Sequence, residues 1–124
     1  MPRRKLADRR GQDVRILGVA ISNPDKPLWP DAGDSRPVTK LDLARYFEAV
    51  GDWMLPHLRG RPCSIVRAPD GVAGPRLLQR HVLPGTSELL TRVDVRGSAK
   101  SFLQVDRIAA LIAIAQMGGL ELHP

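Results

Sequence analysis

The segment Ser22-Asn23-Pro24-Asp25-Lys26-Pro27-Leu28-Trp29-Pro30 rules out a helix or a central strand along its length. Pro24, Pro27 and Pro30 each remove a backbone donor, fix φ and hold the residue before them extended. Asn-Pro-Asp is turn chemistry. A helix start follows at Thr39-Lys40-Leu41-Asp42-Leu43, with Thr39 as N-cap, Asp42 in the reciprocal capping position and an apolar period beyond. Lys26 is thus expected on a constrained loop and Lys40 at the mouth of a helix. Free N–H groups and the positive end of the dipole at such a mouth attract an anion. Asn23, Lys26 and Lys40 are therefore candidates for a phosphate site. On the residues alone, a second reading stays open: Lys26 as a solvated loop lysine and Lys40 as an ordinary first-turn residue, slightly opposed by the dipole.

The rest of the chain alternates short strand patterns with two helical ones. Residues 1–12 read as a flexible basic arm. Val14, Ile16, Val19 and Ile21 flank Gly18 as a short hairpin or two strand pieces, and 31–38 reads as a polar turn. The first helix is expected over 40–55, where Leu43, Phe47, Val50 and Met54 form an apolar stripe, with Pro56 and Gly60 as its stop. His57 reads as a structural residue at that helix end. Strands are expected over 63–67 and 76–82, with an edge strand around Val93 and Val95. The second helix is expected over 106–117, capped by Asp106 and apolar nearly all round, so that its outer faces ask for a partner surface. Leu120 to His123 alternates as a strand on which the chain ends. The expectation is an α/β fold, a mixed sheet with two main helices, that forms part of a larger domain over residues 13–124.

Charge points to a polyanion. Nineteen Lys and Arg against thirteen Asp and Glu give a net charge of +6. Cys63 is the single cysteine, so no intrachain disulfide or cysteine-based zinc site can form, and its place at the head of an apolar run suits a buried strand thiol. No apolar run is long enough to cross a membrane, and the basic N-terminus lacks the apolar segment of a signal peptide. A cytoplasmic, nucleoid-associated location with no membrane partner is expected.

Four blocks in order carry a more specific signal: S-N-P-D-K-x-L-W-P, then T-K-L-D-L-A-R-Y-F-E-A-V-x-D-W-M-L-P-H-L-R-G-R-P, then R-H-V-L-P-G, then A-Q-M-G-G-L-E-L-H-P. Together they resemble the opening of the polymerase domain of bacterial DNA ligase D, over about Val14 to Pro124. That family belongs to the primase–polymerase superfamily and repairs double-strand breaks by end joining with Ku. The resemblance implies that Asn23, Lys26 and Lys40 grip a DNA 5′-phosphate at a gap or end. It implies that Arg67, Gln79, Arg80 and the adjoining His81 face template or primer, and that His123 helps hold an incoming nucleotide. Leu77 and Leu78 depart from the family: many members carry two phenylalanines there that stack on bases, and leucine has no π-face.

No Asp-x-Asp or Glu-x-Asp pair occurs, although the family places metal-binding carboxylates on such a motif downstream of its Leu-His-Pro block. Nucleotidyl transfer through paired Mg²⁺ or Mn²⁺ is therefore expected only of the complete domain. This chain is expected to have no catalytic or metal-binding residue and no cofactor of its own. The ligase lysine motif and the His/Asp set of the family's phosphoesterase domain are absent too. The chain thus reads as the DNA-end-binding half of a ligase D-type repair polymerase, inactive in nucleotidyl transfer or ligation alone. Its expected partners are DNA ends or gaps bearing a 5′-phosphate, with Ku and a separately encoded remainder of the domain behind them. A free-standing small basic nucleic-acid-binding protein without ligase ancestry is the alternative; an enzyme with a site of another kind finds no motif to support it.

Overall fold

The computed structural model describes residues 14–30 and 36–124. The basic arm over 1–12 and most of the polar turn over 31–38 lie outside the described residues. β1 (Arg15–Ile16) and β2 (Val19–Ala20) pair antiparallel through a two-residue turn. Leu17 and Gly18 take φ of 50° and 80°, and two left-handed central residues give the turn whose twist suits a hairpin. The proline segment contributes β3 (Pro27–Trp29), paired among the described residues with β4 (Val38–Thr39) alone, with a register shift between Pro27 and Trp29. Prolines confine it to this edge piece.

α1 spans Lys40–Leu58 and begins with the expected capping box. The Asp42 N–H donates to Thr39 Oγ1 at 3.2 Å, and the Thr39 N–H donates to Asp42 Oδ2 at 2.9 Å. The helix does not stop at Pro56; it runs through it. Pro56 lies in the last turn, where its missing donor forfeits one bond, to the carbonyl of Asp52 on the exposed face. Arg59 N closes the turn on Leu55 O at 2.8 Å, and Gly60, at φ 79°, ends it.

The main sheet is antiparallel, in the order β6 (Leu77–Gln79), β5 (Ser64–Arg67), β9 (Gly119–His123). Val66 faces Leu78 on one side and Glu121 on the other. The strand expected over 76–82 is shorter, and His81 leaves it to bridge Phe102. β7 (Thr91–Val93) pairs with β8 (Phe102–Gln104), a strand too short to show a period in the sequence, and Val95 lies beyond β7.

α2 (Ile108–Gln116) forms the centre of the fold. Ala110, Leu111, Ile112, Ala113, Ile114 and Ala115 are each 4% exposed or less. α1 covers one side, while β2 and β9 pack against others. The expectation that its outer faces need a partner is therefore corrected: this chain buries them itself. Leu111, Ile112 and Ile114 each contribute roughly 1.5–3 kcal/mol of burial. Gly51 permits the close helix crossing, since a Cβ there would stand 3.0 Å from Ile108 Cγ1. Asp106 does not cap α2 either. The N-cap is Arg107, with no side-chain bond. The Asp106 carboxylate instead accepts the Gly60 N–H at 3.0 Å and the Gln104 amide at 2.9 Å, tying the end of α1 to β8.

Candidate phosphate-binding cleft

The proline loop and the start of α1 are zipped together. Asn23 adopts φ 50°, a conformation asparagine tolerates better than most residues, and its carbonyl accepts the Lys26 N–H at 3.0 Å. The Lys40 N–H then donates to Lys26 O at 2.9 Å and the Leu41 N–H to Pro24 O at 3.0 Å. With Thr39 and Asp42 bonded in the capping box, the amides at the helix mouth are already used. The expectation of free backbone donors there is thus corrected: any anion at this place meets side chains.

Those side chains converge. Lys26, Lys40 and Arg67 line one cleft of about 120 Å³, together with Leu28, Gln116 and Gly118. Lys40 is only 8% exposed, and its ammonium donates to Ser22 Oγ at 3.2 Å. Burial, and secondarily the charge of Lys26, hold its pKa below the ordinary lysine value. Ser22 is clamped by Gln116, which accepts the Ser22 N–H at 2.9 Å and donates to Ser22 Oγ at 2.7 Å. Lys26 pairs at 3.0 Å with Asp70, whose side chain is 73% exposed, so the pair stabilises by less than about 1 kcal/mol and yields readily. Arg67 donates through Nε to Met117 O at 2.9 Å and through Nη1 to Gln79 Oε1 at 3.1 Å, and burial lowers its pKa as well.

The structure thus joins Lys26 and Lys40 and adds Arg67, which sequence reasoning had grouped with the template surface. Asn23 lines an adjoining open depression of about 450 Å³ that shares Lys26 with the cleft. Gln79 is turned inward: it is 5% exposed, and its amide donates to His81 O at 3.1 Å and Thr86 Oγ1 at 3.3 Å. Arg80 is exposed beside a separate depression of about 340 Å³, with Leu78, His81 and Leu83. Leu77 and Leu78 are both more than half exposed. The His81 ring meets Phe102 edge-on at 4.5 Å. His123 is exposed on β9, its Nε2 3.1 Å from Glu121 Oε1, and His57 is exposed in the last turn of α1. Cys63 is buried as expected, and burial pushes its thiol pKa up. Ser22 and Gln116 escaped the sequence reading, although Gln116 is the one polar side chain in α2 and so carried a signal.

The residues from Thr39 to Pro124 match the family model for the LigD primase-polymerase domain. The chain belongs to the LigD primase-polymerase family. It is 36% identical over 110 residues to the multifunctional non-homologous end joining protein LigD of Pseudomonas aeruginosa, a match that covers 86% of this chain and 12% of that protein. It is 33% identical over 107 residues to the LigD repair protein of Mycobacterium tuberculosis, covering 85% and 14% respectively. Its fold matches the polymerase domain of Mycobacterium tuberculosis ligase D, solved in complex with DNA, with a TM-score of 0.73 and 32% identity, over 84% of this chain and 36% of that one. The chain therefore spans a small part of these full-length LigD relatives. Ancestry outside the ligase family is set aside. The family implies paired divalent ions for nucleotidyl transfer. Among the described residues no three His, Cys, Asp or Glu side chains cluster to hold a metal.

Proposed function

We propose that this chain is the DNA-end-binding part of a LigD-type repair polymerase domain, and that its cleft takes the 5′-phosphate of a broken or gapped duplex. The observation that carries this reading is Lys40. Its ammonium is buried with one hydroxyl partner, beside two further cations, and among the described residues Asp70 at the rim is the single carboxylate paired to any of them. A buried cation without an anion destabilises the free protein, and a phosphate dianion supplies the missing charge. The DNA strand would lie across the open depression at Asn23, with Lys26 at its boundary with the cleft. Arg80 and the exposed leucines of β6 would face the duplex, contributing apolar contact without aromatic stacking. His123 would meet a nucleotide only in the complete domain, where the metal ions and the chemistry of addition reside. Ku, the remainder of the domain and a nucleoid-associated location in the cytoplasm go with this role.

The test is binding to a gapped duplex with a 5′-phosphate or a 5′-hydroxyl. A preference for the phosphate is expected, and Lys26→Ala should remove most of it, since a charge-assisted hydrogen bond contributes roughly 1.5–3 kcal/mol. The variant should keep the salt-dependent affinity that every duplex shares. Equal affinity of the unaltered protein for both duplexes at low and moderate salt would reduce the cleft to part of a general basic surface.

A further inference from the structure

We infer that Arg67 is a third ligand of the bound phosphate, presented by the sheet in a fixed orientation. The inference rests on the phosphate reading of the cleft. Arg67 ends β5, opposite Leu77 on one neighbour and Gly119 on the other. Its guanidinium is anchored at two of its three nitrogens, by Nε on Met117 O at 2.9 Å and by Nη1 on Gln79 Oε1 at 3.1 Å. Gln79 is itself held by His81 O and Thr86 Oγ1, so the anchor is a buried network with little freedom. Both anchors are neutral acceptors. No carboxylate pairs with Arg67 among the described residues.

A guanidinium has five N–H donors in a rigid fork. Two are spent on the anchors, and Nη2 has no partner among the described residues. Nη2 thus remains to donate, on a side chain that lines the same cleft as Lys26 and Lys40. Its volume of about 120 Å³ is well below the several hundred Å³ typical of sites for whole small molecules, so it suits one compact anionic group. The lysines supply point charges from the loop side. Arginine adds planar, directional donors from the sheet side, which lysine cannot reproduce. Three cations around one small cleft favour a terminal phosphate dianion over an internal phosphodiester, which carries a single charge. Arg67 therefore sets specificity for an end.

The experiment measures the affinity ratio between 5′-phosphorylated and 5′-hydroxyl gapped duplexes for the full chain, Arg67→Ala, Arg67→Lys, Gln79→Ala and Lys26→Ala, with thermal melting of each. Arg67→Ala should lower the ratio on the order of tenfold. Arg67→Lys should recover only part of it, because it restores charge without the fork. Gln79→Ala should weaken the preference less, by loosening the anchor. A structural role alone would lower both affinities together and leave the ratio unchanged. If Lys26→Ala abolishes the preference while folded Arg67→Ala and Arg67→Lys keep it, Arg67 is not a ligand and the phosphate reading stands. If the unaltered chain shows no preference, the phosphate reading falls, and the inference falls with it.

Discussion

Replacing Lys40 by methionine should make the free protein more stable and worse at recognising a phosphate. Methionine keeps an unbranched stem of similar reach in a site that is 8% exposed, and removes the ammonium. One hydrogen bond is lost, the 3.2 Å contact to Ser22 Oγ, while Gln116 still holds Ser22 from two sides. Against that loss stand the desolvation of a charge and its repulsion by Lys26, which together pull the Lys40 pKa down. A lowered lysine pKa means that the charged form is less favourable in the folded chain than in water. A gain of about 1–2 kcal/mol is expected from relief of an uncompensated buried charge. In a domain of this size that raises Tm by several degrees.

Urea denaturation across pH tests this further. Between the folded pKa of Lys40 and its ordinary value of 10.5, the unfolded chain binds more protons. Stability of the unaltered protein should thus rise with pH through that window, and Lys40→Met should lack that component. Inorganic phosphate should stabilise the unaltered protein more than the variant, since only the former offers the full site. A variant less stable than its parent, with the same pH slope and the same response to phosphate, would show that the ammonium is satisfied without a ligand and refute the reasoning.

Two further outcomes follow from the structure. Gly71→Ala should destabilise by about 1–3 kcal/mol in chemical denaturation: Gly71 sits at φ 94°, and a Cβ would stand 2.9 Å from Leu28 O and 3.1 Å from Pro27 O. Asp106→Ala should destabilise by about 1–3 kcal/mol at neutral pH by removing the acceptor of the Gly60 N–H and the Gln104 amide. Burial raises the Asp106 pKa, but bonds from Thr91, Gln104 and Gly60, with the charge of Arg59, outweigh it and hold the pKa below 3.8. The Asp106 contribution is present above 3.8 and fades as pH falls through the lower folded value, so the difference between parent and variant should shrink in acid.

Local chemistry was legible where it acts over a few residues. The capping box and the Gly18 hairpin depend on near neighbours, and each is where the residues place it. Of the expected stripe on α1, Leu43 and Phe47 are buried, but the buried face continues through Gly51, Leu55 and Leu58, leaving Val50 and Met54 half-exposed. Pro56 and Asp106 misled for a related reason. A helix stop and an N-cap are statistical roles, and each position was settled by its surroundings. Pro56 falls where one lost bond faces water, and Asp106 is claimed by Gly60 across the fold. α2 misled through its composition: an all-apolar helix reads as needing a partner, whereas in this chain α1, β2 and β9 supply one.

The cleft was half legible for a deeper reason. Sequence reasoning placed anion binding on Asn23, Lys26 and Lys40, helped by free amides at a helix mouth. The proline loop that made the segment recognisable also folds back and takes the Lys40 and Leu41 amides for its own carbonyls. Backbone attraction is thereby replaced by side-chain attraction, and the consequence is geometric. Amides at a helix mouth are fixed by the helix, but lysines need something to aim them. Here Ser22, gripped by Gln116 from the far end of α2, holds the Lys40 ammonium, while Met117 and Gln79 hold Arg67. Gln116 and Met117 are consecutive residues at the close of α2, so one helix end orients both sides of the cleft. The site is in that sense a property of how α2 packs. A change in the core that shifts the end of α2 should alter phosphate preference even where no cleft residue is touched.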